Sequence, residues 1–321
     1  MKSYILKRVL QLIPVVILVS ILSFLISYLA PGDPMDMYAM GEMTDQQLEE
    51  LSIALGLNGG VVERYLGWLT NVLQGNWGKS VIQYQPVTKL IGEKLGNTFL
   101  LMGTSLVLSI VISIPLGLWA GMRKNKLADN VISFVSYVGI SVPSFWIAIV
   151  LVIIFSLKLK WLPNIGMRTT GVHTTWDLIK HLILPSVVLS LSNTATFTRY
   201  IRSNTIAQLE EDYVLTATAK GLSRVQILFG HVLKNCLLPI ITLVGMNLSN
   251  LVTGSFIVES IFGWPGMGTL GINAINSRDY PMIMGFTMLS CLLLVFGNFL
   301  SDILYSVADP RIKQGVDHAN M

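Results

Sequence analysis

The sequence predicts an all-α protein that crosses a membrane six times. Hydrophobic residues make up 52% of its 321 positions and charged residues only 12%, whereas soluble domains average about 25% charged residues. Six apolar stretches are also long enough to provide the roughly 20 helical residues that a hydrocarbon core requires. The net charge is +4 and the basic residues are scattered, so the composition gives no support for nucleic-acid binding.

The predicted spans begin with an N-terminal helix that we interpret as retained in the membrane. Lys7 and Arg8 precede it as in a signal peptide, but its apolar run of about 22 residues is longer than the core of a typical signal, and Tyr28 stands where cleavage needs a small residue. The six predicted spans cover residues 9–30, 98–121, 131–157, 182–199, 236–258 and 282–306.

The distribution of Lys and Arg predicts which loops face the cytoplasm, because cytoplasmic loops carry an excess of basic residues. The side of both termini holds Lys2, Lys7, Arg8, Arg123, Lys124, Lys126, Arg199, Arg202, Lys220, Arg224, Lys234, Arg311 and Lys313. The short loops of the other side hold Lys158, Lys160, Arg168, Lys180 and Arg278. We therefore expect a cell-membrane protein with both termini in the cytoplasm.

The segment 31–97, between the first two spans, is predicted to form a helical loop outside the cytoplasm. Thr44 and Gln47 fit a capping box for one helix, and a second helix is expected over Val61–Leu73, whose apolar residues share a face. The loop either helps to dock an external partner or folds back on its own bundle.

Residues 75–80 of this loop read Gly-Asn-Trp-Gly-Lys-Ser and end like a phosphate-binding P-loop. The full pattern requires a glycine five positions before Gly78, where this chain has Leu73, and no strand precedes the segment. We therefore do not assign nucleotide binding to it.

The third span contains Pro143 within the stretch Ser-Val-Pro-Ser-Phe-Trp. An interior proline frees a backbone carbonyl and kinks a helix, and membrane helices tolerate this where neighbours or water satisfy the freed group. We interpret the break as a structural kink, with a direct contact to substrate as the alternative.

The predicted spans contain almost no ionisable residues, and Glu259 is placed just outside the fifth span. Ion-coupled carriers usually need such residues inside the membrane, so an ion-coupled secondary carrier is disfavoured. The sequence shows no nucleophile elbow, metalloprotease motif or Cys/His cluster. Accordingly, no catalytic, cofactor-binding or metal-ligating residue is assigned.

Residues 200–235, between the fourth and fifth spans, form a connection far longer than two neighbouring helices need. The acidic residues 210–212 suit a helix start, Gly221 permits a sharp turn, and Ser223 suits the start of a second helix. An exposed apolar helical face requires a partner groove, with the lipid surface as the alternative. The face expected on the second helix consists of Val225, Leu228, Phe229 and Val232.

This connection resembles the coupling loop, or EAA motif, of ABC importer permeases, in the variant of the dipeptide, oligopeptide and nickel permease family. It reads Ala-Thr-Ala-Lys-Gly-Leu-Ser over 217–223 and His-Val-Leu-Lys-Asn over 231–235. The resemblance implies a type I ABC importer permease in which 1–321 is a single transmembrane permease domain with core helices over 98–308. Further motifs in family order lie at 30–34, 55–57, 142–146, 161–163, 259–268, 278–281 and 309–311.

The resemblance also implies which residues contact a cytoplasmic ATPase, namely Asp212, Ala217, Lys220, Gly221 and Leu222. The implied complex contains a second permease subunit, more often a sister chain than a copy. It also contains two cytoplasmic ATPase subunits, which bind the ATP, and an extracytoplasmic substrate-binding protein. Leu215 stands where the general motif has Glu, as is usual for this family. The chain departs from the common family pattern at Thr218 and Gly230, which bears on how tightly the ATPase is held.

The substrate class is open between peptides, which we favour, and a nickel chelate, because both kinds of importer share these motifs. Two alternatives belong to other classes of protein. A secondary carrier predicts transport by this chain alone, and a structural membrane anchor predicts that deleting residues 205–234 leaves uptake intact.

Overall fold

The computed structural model describes residues 2–29, 59–247 and 250–308 and confirms the all-α prediction for them. The described part contains one isolated bridge, between Lys79 and Pro86, and no β-strand. The capping box predicted at Thr44 and the motifs at 30–34, 55–57 and 309–311 lie outside the described residues.

Helices of very different length follow one another along the chain. Two of them continue into wider π-helical turns. The helix Ser144–Leu151 continues over Val152–Lys158, and the helix Arg224–Ile227 continues over Leu228–Val232. The prediction of a helix over Val61–Leu73 is confirmed. The described helices are α1 (Lys2–Leu29), α2 (Val61–Leu73), α3 (Val87–Met122), α4 (Leu127–Ser141), α5 (Ser144–Leu151), α6 (Thr175–Leu209), α7 (Asp212–Ala219), α8 (Arg224–Ile227), α9 (Leu233–Asn247), α10 (Asn250–Thr253), α11 (Phe256–Ile261), α12 (Met267–Asn276) and α13 (Tyr280–Ala308).

Four described helices are long and apolar enough to cross a membrane, and the pair α4–α5 makes a fifth if it is counted as one bent span. The predicted fifth span, 236–258, falls on α9 and α10 and includes residues 248 and 249, which lie outside the described part. The predicted end of this span is wrong: α10 ends at Thr253 because Gly254 takes a φ of +72°. The four long spanning helices are Leu10–Leu29, Val87–Met122, Thr175–Leu209 and Tyr280–Phe299.

Two other predicted spans lie inside helices that extend beyond them. The span 98–121 lies within the helix that begins at Val87, so the end of the loop predicted over 31–97 is helical. The span 182–199 lies within α6, which covers 175–209 because polar residues at both ends continue the helix. One end of the bundle carries residues 210–232, which we call the elbow segment. The opposite end is formed by the segments around 75–86, 159–174 and 254–279.

The third predicted span, 131–157, is broken rather than kinked. α4 and α5 meet at an angle of 101° across Val142 and Pro143. Both residues have extended backbones, with ψ of 127° and 136°. Val142 is extended because a residue that precedes proline is disfavoured in the α region, and Pro143 is the N-cap of α5. The proline was therefore read correctly as the site of a break, but the change of direction is much larger than a proline kink produces.

The longest packed contact runs between α3 and α6 and depends on two glycines one turn apart. Gly117 lies against Ile201, and Gly121 lies against Thr205; both glycines are buried. Small residues at such spacing let two membrane helices approach closely, since association in lipid depends on packing. The sequence Gly-Leu-Trp-Ala-Gly therefore brings the two helices into backbone contact near the elbow segment.

We expect Gly117→Val to lower the free energy of unfolding by about 1–3 kcal/mol, the usual cost of overpacking a tight contact. A Cβ at this position would lie 2.6 Å from the Cβ of Ile201. Gly103→Val is the matched control, because Gly103 lies in the same helix with open space around its Cα. Thermal unfolding of the two purified variants measures the difference, and equal midpoints would contradict this account of the packing.

Candidate coupling site

The elbow segment contains two short helices joined by a sharp turn at Gly221, as the sequence predicts. Gly221 has a φ of +81°, and its N–H donates to the carbonyl of Thr218 at 3.0 Å. The N–H of Leu222 donates to the carbonyl of Ala217 at 3.2 Å, which completes a Schellman motif at the end of α7. The turn is thus fixed by backbone hydrogen bonds as well as by the glycine.

The second helix of the elbow segment begins at a capping box, which confirms the prediction for Ser223. Its backbone N–H donates to the side-chain oxygen of Gln226 at 2.8 Å, and its hydroxyl accepts from the N–H of Gln226 at 3.4 Å. Such a reciprocal cap satisfies backbone donors that the first turn leaves unpaired. Both ends of the turn therefore have defined geometry in an exposed segment.

The apolar face predicted for the second helix is exposed at only two of its four residues. Leu228 and Val232 are buried in the chain's own core, whereas Val225 and Phe229 are 62% and 56% exposed. Val225 and Phe229 thus form an outer pair at i, i+4 spacing, and Leu228 and Val232 form a buried pair at the same spacing. Together with Leu215, which is 74% exposed in α7, the outer pair gives an apolar surface that we call the outer elbow face.

The five residues predicted to contact an ATPase divide between the surface and the core. Asp212, Lys220 and Gly221 are exposed, and Leu222 is half-buried against the core. Ala217 is only 5% exposed and packs inward with Ile227 and the end of α6, so it supports the segment from inside. Their roles in coupling remain predictions.

Two ion pairs connect the base of the elbow segment to the turn between α3 and α4. Arg202 of α6 donates from Nε to one carboxylate oxygen of Asp129 and from Nη2 to the other at 2.7 Å. The second oxygen also accepts from the N–H of Asn125 at 2.8 Å. At the surface, Lys124 Nζ lies 2.9 Å from Oε1 of Glu210, immediately before α7.

The opposite end of the bundle contains a fully buried carboxylate, Glu259. The sequence predicted only that this residue lies just outside the fifth span. Its Oε1 accepts from the hydroxyl of Thr98 at 3.1 Å and its Oε2 from the N–H of Thr269 at 3.2 Å. Gly266 and Gly268 allow this approach, since a Cβ on Gly268 would lie 2.9 Å from Oε2. Burial raises the pKa of this carboxyl, and the surrounding hydrogen-bond donors oppose that rise.

The P-loop-like segment has a packing role at this same end. Ser80 is 1% exposed and donates to a carboxylate oxygen of Asp279, whose other oxygen accepts from the N–H of Val81 at 3.3 Å. No helix starts at Lys79, since α3 begins only at Val87. The serine hydroxyl thus fastens this loop to the start of α13 instead of facing a phosphate.

Comparison with known proteins places this architecture in a family. The family model described as "Binding-protein-dependent transport system inner membrane component" matches residues 113–314, and its N-terminal companion matches residues 1–101. The oligopeptide transport system permease protein AppB of Bacillus subtilis is 41% identical over 98% of this chain and 100% of its own length. The glutathione transport system permease protein GsiC of Escherichia coli K12 is 33% identical over 98% of this chain and 99% of its own length.

A solved structure shows the same fold. The inward-facing MetNI methionine ABC transporter aligns with a TM-score of 0.54 at 15% identity, over 69% of this chain and 97% of the matched chain. The fold is thus that of a multi-pass permease with type I ABC importer architecture. The chain belongs to the family of binding-protein-dependent transport system inner membrane components, and it is a membrane-spanning transport subunit.

Proposed function

We propose that this chain is a permease subunit of an ATP-driven peptide importer and forms half of the substrate pathway beside a second, sister permease subunit. The observation that supports the peptide class is full-length similarity to permeases named for oligopeptides and glutathione, at 41% and 33% identity. A putative peptide permease of Brucella ovis is 39% identical over a similar length.

In this proposal the elbow segment lies in the cytoplasm and docks one of two ATPase subunits. The outer elbow face supports docking, because Leu215, Val225 and Phe229 leave a rigid, capped turn with apolar side chains exposed. The excess of Lys and Arg on this side supports the orientation. ATP is bound and hydrolysed by the partner subunits, so this chain is not itself an enzyme and needs no cofactor. A substrate-binding protein docks at the opposite end.

Paired uptake in cells with and without this chain tests the substrate class. We expect loss of the chain to abolish uptake of a labelled short peptide and to leave uptake of labelled nickel unchanged. The reverse result would make the complex a nickel-chelate importer, and survival of both activities would refute the proposal. ATP depletion supplies the control for mechanism, because an ion-coupled secondary carrier would keep transporting until its ion gradient collapsed.

A further inference from the structure

The ion pair between Asp129 and Arg202 holds one charged side chain almost completely out of water. Asp129 has 1% of its side chain exposed and Arg202 has 28%. Taking two charges out of water is costly, and buried ion pairs can often be replaced by apolar residues without loss of stability. The bidentate hydrogen bond between the two side chains, however, permits only one register between α4 and α6. Its geometry therefore points to positioning.

The end of α6 that carries Arg202 is also held on its other side. The neighbouring residues Ile201 and Thr205 pack directly on Gly117 and Gly121 of α3, with no room for an additional methyl group. Arg202 thus lies on a segment that cannot slide along α3 without a clash. The ion pair adds α4 to this unit from the opposite direction.

Asp129 also shapes the turn that starts α4. Its carboxylate accepts from the N–H of Asn125, which has a φ of +62°, and Ser133 donates to the same carboxylate at 3.4 Å. The other link at this turn, between Lys124 and Glu210, is exposed at both side chains, and exposed pairs contribute little. The buried pair is therefore the stronger of the two described links.

We propose that Asp129 and Arg202 are positioning residues for transport, which make α4 move together with the end of α6 when the elbow segment is displaced. The inference rests on the proposed function, in which a partner ATPase moves that segment. Eight positions separate Arg202 from Glu210, where the elbow segment begins, so a displacement there reaches Arg202 over little more than two helical turns.

The chain also connects α4 to the opposite end of the bundle. α4 continues through the 101° break into α5, whose buried Ala148 packs with Val258 and Phe262 of the opposite end. That contact lies beside Glu259 and the glycines around it. α4 and α5 thus connect the Asp129–Arg202 pair with the segments at the opposite end of the bundle.

The first test measures peptide imported per ATP hydrolysed by the complete complex in proteoliposomes. We expect Asp129→Asn to lower this ratio at least about ten-fold while ATP hydrolysis continues, since a hydrogen bond to a charged group contributes about that factor or more. Arg202→Lys keeps the positive charge but loses the bidentate hydrogen bond of the guanidinium group. We therefore expect a ratio between those of Asp129→Asn and the unsubstituted complex. The exchange of both residues, Asp129→Arg with Arg202→Asp, should recover part of the ratio lost in Asp129→Arg alone. Lys124→Ala is the control and should behave like the unsubstituted complex.

A purely structural role gives a different result, since it lowers the amount of assembled complex and leaves the ratio unchanged. An unchanged ratio in Asp129→Asn, or no recovery in the exchanged pair, would overturn the inference.

The second test does not depend on the substrate. Spin labels at Leu127→Cys and Thr216→Cys, both on exposed positions outside the outer elbow face, report the distance between α4 and α7 in the complex, with Cys291 replaced by alanine and Cys236 left buried. We expect this distance to stay constant on nucleotide binding, and to change when Asp129→Asn is added. A constant distance in both would overturn the inference. If peptide uptake fails in the unsubstituted complex while the labels behave as expected, the substrate proposal fails and the positioning role stands.

Discussion

Replacing Gly221 by valine is expected to lower peptide uptake about ten-fold while the partner ATPases continue to hydrolyse ATP. The backbone at this position has a φ of +81°, where a residue with a side chain costs about 1–2 kcal/mol and a β-branched one lies at the upper end. A cost of about 1.4 kcal/mol shifts an equilibrium ten-fold. Apart from the adjacent residues, no atom of this chain lies within 4 Å of an added Cβ, so the strain within the chain comes from the backbone. Uptake and ATP hydrolysis in the reconstituted complex provide the measurement.

The matched control for this change is Gly171→Val. Gly171 has a φ of +80° and open space around it, but lies in the loop before α6 at the opposite end. It imposes equal backbone strain away from the elbow segment and should leave the coupling ratio unchanged. Gly221→Asn, which tolerates this conformation better, should keep most of the uptake. Normal uptake by the valine variant would show that the turn is not needed for coupling.

This substitution also discriminates against a structural anchor more cleanly than deletion of residues 205–234. The deletion would remove Ala217, Ile227, Leu228 and Val232, which are buried among residues of α3 and α6. Loss of uptake after deletion would then follow from a damaged core as well as from lost docking. A single change at an exposed glycine leaves that core in place.

The elbow segment shows which features local sequence predicts well. Gly221 and Ser223 act through their own backbone neighbours, so the turn and the helix start at Ser223 were correctly predicted. The burial of Leu228 and Val232 beside the exposed Val225 and Phe229 was not predicted, because helical spacing alone does not show which part of an apolar face packs on the core. The packing of α8 against α6 and α9 decides which pair is buried. The start of α3 at Val87 was also not predicted, because the helix continues beyond the apolar span through a stretch of mixed polar and apolar residues from Val87 to Asn97.

The buried carboxylates depend on contacts between distant parts of the chain, which one sequence does not reveal. Asp129 and Arg202 are 73 positions apart, and Thr98 and Glu259 are 161 positions apart. The spacing of glycines was the feature of the sequence that indicated such distant contacts. Gly117 and Gly121 have the spacing of a close helix contact, and the cluster of glycines after Glu259 indicates close backbone approach.

Glu259→Ala is expected to have the largest effect on stability at the opposite end of the bundle. The substitution removes the acceptor of the Thr98 hydroxyl and of the N–H groups of Ser255 and Thr269, all within a buried site. Each unsatisfied buried donor costs about 1–3 kcal/mol, so we expect a loss of at least about 3 kcal/mol in the free energy of unfolding. Thermal unfolding of the purified variant measures this loss, and uptake should fall with it.

Two further variants separate the hydrogen-bond network from a general effect of charge. Glu259→Gln keeps the volume and one carbonyl acceptor, so its stability should lie between those of the alanine variant and the unsubstituted protein. Glu93→Ala removes a carboxylate from α3 that is 52% exposed and 4.0 Å from Lys89, and such pairs contribute at most about 1 kcal/mol. If Glu259→Ala were no more damaging than Glu93→Ala, the segment from Gly254 to Gly268 would be held by its apolar contacts alone. If the alanine variant is the least stable and the glutamine variant is intermediate, as expected, the carboxylate itself holds that segment on α3 through Thr98.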